Sequence, residues 1–302
     1  MANVIAVIWD FDKTLVPGYM QDPIFEKYNV NAADFWKEVN ALPQKLGAND
    51  IRVNKDTIYL NLFIKESQKG GKFAGLNNGI LRQLGGKLKF YKGIPEIFKK
   101  TKEMISNVPS YQEYGIKVEH YVVSTGMAEM IRGSVIYNEV NGIWGCEIAE
   151  RDVANKKVLA ETIYTIDNTS KTRAIFEINK GVVQSPNIDV NAKMPDDLRR
   201  VPFSNMIYIA DGPSDVPAFS LMNHYGGATF AIYPKGDDKA FKQVEQLRQD
   251  GRINMYAEAD YTEGSTAYMW ICNKIKQYAD RICETERAKL SKSVSGVPKH
   301  LV

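Results

Sequence analysis

Four short runs of mainly apolar residues predict β-strands buried on both faces of a sheet. The runs cover residues 5–9, 118–126, 205–215 and 227–234, and a helical pattern over 216–223 separates the last two. Strands that alternate with helices are typical of a right-handed, parallel α/β sheet. We therefore expect an α/β protein with a Rossmann-like core of three layers, α/β/α.

Polar residues stand where three of these strands end. Asp10 and Asp12 follow the first strand, Ser124 lies at the end of the second, and Asp211 at the end of the third. Ligands of such sheets bind just beyond the carboxyl ends of the strands. The sequence therefore predicts that these side chains form one site.

Two carboxylates directly after an apolar strand are costly unless a positive charge compensates them. The segment "ADGPSD" on the third strand adds Asp211 and Asp215. Carboxylate, carbonyl and water oxygens are the ligands that suit Mg²⁺. The pattern therefore favours a Mg²⁺ site over a purely structural pair of aspartates.

The chain between the first two strands is rich in helix signals and poor in strand runs, which predicts an inserted helical domain over 17–89. Residues 1–16 and 90–285 are predicted to form the core, and 286–302 a C-terminal tail. Two strand-like runs around a polar turn predict a β-hairpin within 142–166.

Charge and cysteine content exclude several classes of protein. The 39 basic and 36 acidic residues leave a formal charge of +3, too even to indicate a nucleic-acid or anionic membrane partner. The three cysteines lie far apart, which argues against a disulfide framework or a zinc site. No apolar run reaches the roughly 18 residues of a membrane span. We expect a cytoplasmic protein.

Four segments in order, "DFDKTL", "VVSTG", Lys171 and "DGPSD", resemble the motifs of the haloacid dehalogenase-like hydrolase superfamily. They extend from Asp10 to Asp215, and four in order are far more specific than any one alone. The inserted segment resembles the helical cap of the first cap class, as in phosphoserine phosphatase-like members. The resemblance implies a Rossmann-like core with a cap that closes over the site.

The resemblance implies that Asp10 attacks phosphorus and becomes an aspartyl phosphate, while Asp12 is the general acid and base. It also implies Mg²⁺ bound by Asp10, the backbone carbonyl of Asp12, and Asp211. Dehalogenases lack an acid two residues after the nucleophile, and P-type ATPases carry threonine there. Asp12 therefore points to a phosphatase or phosphomutase.

The other motif residues match groups that stabilise the phosphoryl charge. Ser124, with the backbone around Thr125 and Gly126, would donate hydrogen bonds to the phosphoryl oxygens, and Lys171 would be the cationic clamp. Asp215 would lie in the second shell of the metal or pair with Lys171.

Residues near the first motif are candidates for substrate contact. Thr14 would orient the loop, while Tyr19 and Gln21 would face the leaving group, with Arg52 or Lys55 as a cationic contact. A role in packing the hinge alone is an open alternative for these substrate contacts. Phosphoserine phosphatases carry glutamate nine residues after the nucleophile, where this chain has Tyr19, which argues against phosphoserine as substrate.

The favoured prediction is a Mg²⁺-dependent phosphatase acting on a small phosphorylated metabolite. The same motifs would serve a phosphomutase or phosphotransferase, which returns the phosphoryl group to a substrate. A non-catalytic phospholigand-binding protein is a third alternative, disfavoured because binding alone does not need a general acid such as Asp12.

Overall fold

The computed structural model describes residues 3–47 and 51–294 of the chain. The strands within these residues are β1 (Val4–Trp9), β2 (Lys117–Met127), β3 (Gly142–Val153), β4 (Lys156–Tyr164), β5 (Met206–Ala210), β6 (Ala228–Tyr233) and β7 (Met255–Glu258). They form one sheet in the order β4-β3-β2-β1-β5-β6-β7. Only the β3–β4 pair is antiparallel among these described strands. The predicted α/β fold with a mostly parallel sheet is confirmed.

β1 lies at the centre of the sheet, between β2 and β5. All six of its residues are buried, because alternate side chains point to opposite faces and helices cover both. Val7 and Trp9 belong to the apolar core on one face, and Ala6 and Ile8 to the core on the other. The strand therefore delivers the residues that follow it to the middle of the sheet edge.

Helices complete the layers on either side. The α-helices of the described residues are α1 (Asp22–Tyr28), α2 (Ala32–Leu46), α3 (Ile58–Ser67), α4 (Asn78–Gly85), α5 (Glu96–Ser106), α6 (Pro109–Glu113), α7 (Ala128–Arg132), α8 (Lys171–Lys180), α9 (Val216–His224), α10 (Asp238–Gln249) and α11 (Thr266–Val294). α5 and α11 contribute to the core on one face of the sheet, and α8, α9 and α10 to the core on the other. Three layers result, as predicted.

Helices α1 to α4 fall within the predicted insertion, 17–89. Buried aromatic rings of this segment pack on one another, with centroids 4.6 Å apart for Phe35 and Phe63 and 4.8 Å apart for Phe63 and Phe73, which lies between α3 and α4. Contacts of this kind stabilise a cluster beyond the area that it buries. The separation of this segment from the core as a domain of its own stays a prediction.

The predicted hairpin is confirmed by the antiparallel pairing of β3 and β4. Ala154 and Asn155 form its tip with φ of 49° and 62°, the left-handed region that a two-residue hairpin turn requires. The hairpin reaches the inserted segment, since the Gln68 side chain donates a hydrogen bond to the Leu159 carbonyl at 2.9 Å.

The predicted C-terminal tail, 286–302, is helical in its first part. α11 continues through the boundary placed at 285/286 and ends at Val294. The segment "ERAKL" consists of strong helix formers that extend an existing helix. That these residues form a tail apart from the core stays a prediction. The rest of the predicted tail, 295–302, lies outside the described residues, as do 48–50 of the predicted insertion.

Among the helices of the described residues, none combines the length and the apolar character needed to cross a membrane.

Candidate active site

Asp10 stands immediately after β1 at the carboxyl edge of the sheet. Its backbone N–H donates to the Ile209 carbonyl at 2.8 Å, which continues the pairing between β1 and β5 for one more residue. The carboxylate is buried; one oxygen accepts from Lys171 Nζ at 2.7 Å and the other from the Thr14 hydroxyl at 3.2 Å. The sheet and these two donors fix the orientation of Asp10.

Lys171 is the first residue of α8, and its ammonium is buried between two carboxylates. Nζ lies 2.7 Å from Asp10 Oδ1 and 2.6 Å from Asp215 Oδ1. Asp215 also accepts from the Tyr208 hydroxyl at 2.6 Å and the Ser214 hydroxyl at 2.9 Å. The two carboxylates raise the pKa of Lys171 against the effect of burial, so the lysine is charged.

Burial raises the pKa values of Asp10 and Asp12. It raises the pKa of the Asp10 carboxyl to about 6, although Lys171 opposes the shift. For Asp12, burial and then the charge of Asp10 raise the pKa to about 8. Asp12 Oδ1 accepts one hydrogen bond, from the Met20 backbone N–H at 2.9 Å. Both shifts favour the protonated form of these carboxyl groups, and the shift is larger for Asp12.

Three carboxylates could hold a metal ion. Asp10, Asp211 and Asp215 each place an oxygen within 4.8 Å of the other two. The Asp215 oxygens already accept hydrogen bonds from Lys171 and two hydroxyls. Asp211 accepts none from the described residues, and burial together with Asp10 raises its pKa to about 7. A divalent cation beside Asp10 and Asp211 would relieve this repulsion, so the donor set fits Mg²⁺.

The end of β2 departs from regular pairing with β3 between Val123 and Met127. Ser124 and Thr125 line the same cavity as Asp10. The Ser124 hydroxyl oxygen accepts from the Gly126 N–H at 3.0 Å, and the Thr125 carbonyl accepts from the Tyr59 hydroxyl at 2.8 Å. The Gly126 amide is therefore occupied within the protein, and the Ser124 hydroxyl keeps its own proton for another acceptor.

Met20 lies against Gly126. A Cβ built at position 126 would come 2.2 Å from the Met20 methyl carbon, so only glycine fits beside this side chain as it is placed. The Met20 sulfur also accepts from the Met127 N–H at 3.1 Å. These contacts join the start of the insertion to the end of β2.

The cavity above these residues has a volume of about 430 Å³. Its lining residues are Asp10, Asp12, Lys13, Tyr19, Asp56, Ser124, Thr125, Asn168, Lys171, Asp211, Pro213, Ser214 and Gln243. The residues expected to stabilise and attack a phosphoryl group thus share one cavity with residues of the insertion.

No protein-family model matches the chain. An uncharacterized protein of Borreliella burgdorferi is 36% identical over 288 residues, which span 90% of this chain and 97% of that protein. The chain belongs to the same family as this protein.

Comparison with solved structures identifies the fold. A probable phosphoserine phosphatase from Vibrio cholerae, in its unliganded form, is 10% identical, with a TM-score of 0.51 over 94% of this chain and 67% of that one. The chain has the haloacid dehalogenase-like fold. A HAD family hydrolase from Salmonella enterica serovar Typhi is 14% identical, with a TM-score of 0.49 over 85% of this chain and 67% of that one.

The superfamily resemblance predicted from the four motifs is therefore confirmed at the level of the fold, while the subfamily and the cap class stay predictions. Within this haloacid dehalogenase-like fold, the four predicted motifs meet at one cavity: Asp10, Ser124, Lys171 and Asp211 all line it.

The substrate residues predicted near the first motif divide into two groups. Tyr19 lines the cavity and is 42% exposed, with Lys13 Nζ 4.5 Å from its ring centroid. Gln21 is buried and is not part of the lining; its Oε1 has no partner among the described residues. Arg52 and Lys55 are exposed and do not line the cavity either. The predicted cationic contact from one of these two side chains stays a prediction.

Several lining residues carried no signal in the sequence. Asp56, Asn168 and Gln243 come from a loop of the insertion, the loop before α8, and α10. None of them lies in a motif or at the end of an apolar run. Only the packing of the insertion and of α10 around the sheet edge brings them to the cavity.

Proposed function

We propose that the protein is a Mg²⁺-dependent phosphatase of the cytoplasm, which hydrolyses a small phosphomonoester through an aspartyl phosphate on Asp10. The observation that carries this proposal is the arrangement around Asp10: a buried carboxylate, oriented by Lys171 and Thr14, in one cavity with Asp12, whose pKa burial raises. The haloacid dehalogenase-like fold and the order of the motifs support it.

In the first step, an Asp10 oxygen forms a bond to phosphorus and the ester P–O bond breaks. Asp12 gives its proton to the departing alkoxide. In the second step, Asp12 takes a proton from water, the water oxygen bonds to phosphorus, and the bond between phosphorus and Asp10 breaks. Inorganic phosphate leaves, and both aspartates return to their starting states.

Donors and the metal would stabilise the charge on the phosphoryl oxygens. We assign the hydroxyl proton of Ser124 and the ammonium of Lys171 to this role. The carboxylates of Asp10 and Asp211, with the Asp12 backbone carbonyl, would hold Mg²⁺, which supplies positive charge between the attacking carboxylate and the phosphoryl group.

We further propose that the segment 17–89 is the cap of this site. Tyr19 and Asp56 of this segment line the cavity. Two hydrogen bonds join the segment to the core beside the cavity: Asn54 Nδ2 to Asp167 Oδ2 at 3.0 Å, and the Tyr59 hydroxyl to the Thr125 carbonyl. A cap in this position excludes water and limits the size of the substrate.

The test is phosphate release from a panel of phosphorylated metabolites with Mg²⁺, for the wild type and for Asp10→Asn. Asp152→Asn, an exposed aspartate on the hairpin, is the matched control. We expect release that chelation abolishes and Mg²⁺ restores, lost in Asp10→Asn and retained in the control. Acid-quenched wild type should carry a hydroxylamine-sensitive phosphoryl group that Asp10→Asn lacks.

Undiminished turnover in Asp10→Asn would overturn the proposal. Isomerisation of a sugar phosphate with little free phosphate would replace it by the phosphomutase alternative. Binding of phosphorylated ligands without phosphorylation of Asp10 or release of phosphate would favour the non-catalytic alternative.

A further inference from the structure

One carboxylate of the cavity has no part in the proposed chemistry. Asp56 lines the cavity from the loop that precedes α3 and is half-buried. Its side chain makes no hydrogen bond or ion pair with any described residue. It does not cap α3 either, because that helix has Thr57 as its N-cap and no side-chain hydrogen bond there. Both carboxylate oxygens are therefore free to accept from a ligand.

The position of Asp56 is fixed by its neighbour Asn54. The Asn54 side-chain oxygen accepts from the Asp56 N–H at 2.9 Å, and its carbonyl accepts from the Ile58 N–H at 3.1 Å. The Asn54 amide donates to Asp167 across the cleft. The first two bonds fix the conformation of the loop and the third holds it against the core, while Asp56 lines the cavity.

The charges around the cavity leave Asp56 without a partner. Besides the proton donor Asp12, three carboxylates line the cavity, those of Asp10, Asp56 and Asp211, together with the two ammonium groups of Lys13 and Lys171. Lys171 is engaged by Asp10 and Asp215. Lys13 lies over the Tyr19 ring, and the charges of Asp211 and Asp12 act on its ammonium.

A bound Mg²⁺ and a phosphate dianion carry opposite double charges, so together they would leave the net charge of the cavity unchanged. The remaining negative charge at Asp56 favours a cation on the substrate itself and disfavours a carboxylate. Two other lining groups, Asn168 and Gln243, are uncharged amides, whose side chains make no hydrogen bond with the described residues, so they add no opposing cation.

The size of the cavity limits the leaving group. About 430 Å³ is near the lower end of the range for small-molecule sites, roughly 300–1,000 Å³. We propose that Asp56 selects a leaving group that carries an ammonium, so that the substrates are phosphomonoesters of small amino alcohols. This inference rests on the proposed phosphatase function.

The test compares three esters of similar size in the presence of Mg²⁺: O-phosphoethanolamine, which carries an ammonium; ethyl phosphate, which is neutral beyond the phosphate; and 2-phosphoglycolate, which carries a carboxylate. We expect kcat/KM to fall in that order, with the ammonium ester favoured over ethyl phosphate by roughly 10-fold to 100-fold, the effect of one hydrogen bond to a charged group. Asp56→Asn should reduce this ratio to within about threefold, and Asp56→Lys should shift the preference towards 2-phosphoglycolate. Asp152→Asn is the control in which the ratio is unchanged.

The inference and the proposed function fail in different ways. If the wild type hydrolyses ethyl phosphate as well as the ammonium ester, or if Asp56→Asn keeps the preference, the inference is overturned and the phosphatase function stands. If none of the three esters releases phosphate but another ester of the metabolite panel does, the inference is overturned and the phosphatase function stands; if no ester of the panel releases phosphate, the proposed function fails. The inference is then judged by binding to Asp10→Asn with Mg²⁺, and equal thermal stabilisation by O-phosphoethanolamine and ethyl phosphate overturns it.

Discussion

Lys171 Nζ lies 2.6 Å from Asp215 Oδ1, and the two side chains are 2% and 0% exposed. Because Lys171 also contacts Asp10, one ammonium balances two buried carboxylates. Desolvation of such charges is costly, and the attraction between them offsets that cost only while all partners are present. The cluster therefore couples the stability of the fold to the geometry of the site.

Removal of the ammonium should destabilise the protein strongly. We expect Lys171→Met to lower the free energy of unfolding by about 3–5 kcal/mol, because it leaves two buried carboxylates unpaired. The double variant Lys171→Met/Asp215→Asn should lose less than the sum of the single variants. Urea unfolding measures these changes, with the exposed Lys69→Met as control. Strict additivity of the two substitutions would contradict the coupling.

The role of Asp12 can be separated from that of Asp10 by the leaving group. We expect Asp12→Asn to reduce turnover of an alkyl phosphate about 10²-fold to 10⁴-fold, because the alkoxide then leaves without a proton. With p-nitrophenyl phosphate, whose leaving group needs no proton, the variant should release about one equivalent of nitrophenol and then stall at the aspartyl phosphate. Stopped-flow absorbance measures this burst. Asp10→Asn should show no burst, and wild-type turnover of the alkyl ester by Asp12→Asn would exclude the proposed role.

The parts of the site that the sequence predicts lie where apolar strands end. Asp10 and Asp211 follow β1 and β5, and Ser124 lies near the end of β2; these three strands are neighbours in the sheet, and parallel strands bring their carboxyl ends to one edge. Lys171 carries no such signal. It was assigned by the family resemblance alone, and the structure places it against Asp10.

The lining residues that the sequence did not predict reach the cavity through packing between distant segments. Asp56 and Gln243 are single polar residues in ordinary polar surroundings, and they reach the cavity only because the insertion and α10 fold over the sheet edge. Gln21, which was expected to face the leaving group, is buried and is not part of the cavity lining, so its role stays a prediction.

The contact between Asn54 and Asp167 gives a test of how the cap is held. Asn54→Asp should place two carboxylates opposite each other and open the loop, which raises KM by several-fold while stability changes by less than about 1 kcal/mol, since both side chains are at the surface. Adding Asp167→Asn should restore KM, because the exchanged pair forms the same hydrogen bond in reverse. Steady-state kinetics measures KM. No recovery in the double variant would show that this bond does not position the loop.

His120 should make the folded state sensitive to acid. Burial lowers the pKa of this histidine from 6.5 to about 3; Nδ1 accepts from the Trp9 indole at 3.1 Å, and Nε2 pairs with the Thr101 hydroxyl at 2.9 Å. Protonation of Nδ1 would place its N–H opposite the N–H of the Trp9 indole, so that two donors would face each other. Between about pH 6.5 and pH 3, the unfolded chain binds a proton that the folded chain excludes, so this contribution to stability is complete above pH 6.5 and falls as the pH falls. The loss of unfolding free energy at pH 5 should be about 2 kcal/mol.

The raised pKa values of the site aspartates change stability in the opposite direction, but they do so equally in His120→Gln. Urea unfolding at pH 7 and pH 5 should therefore show a smaller acid-induced loss in that variant than in the wild type, and equal losses would contradict the assignment.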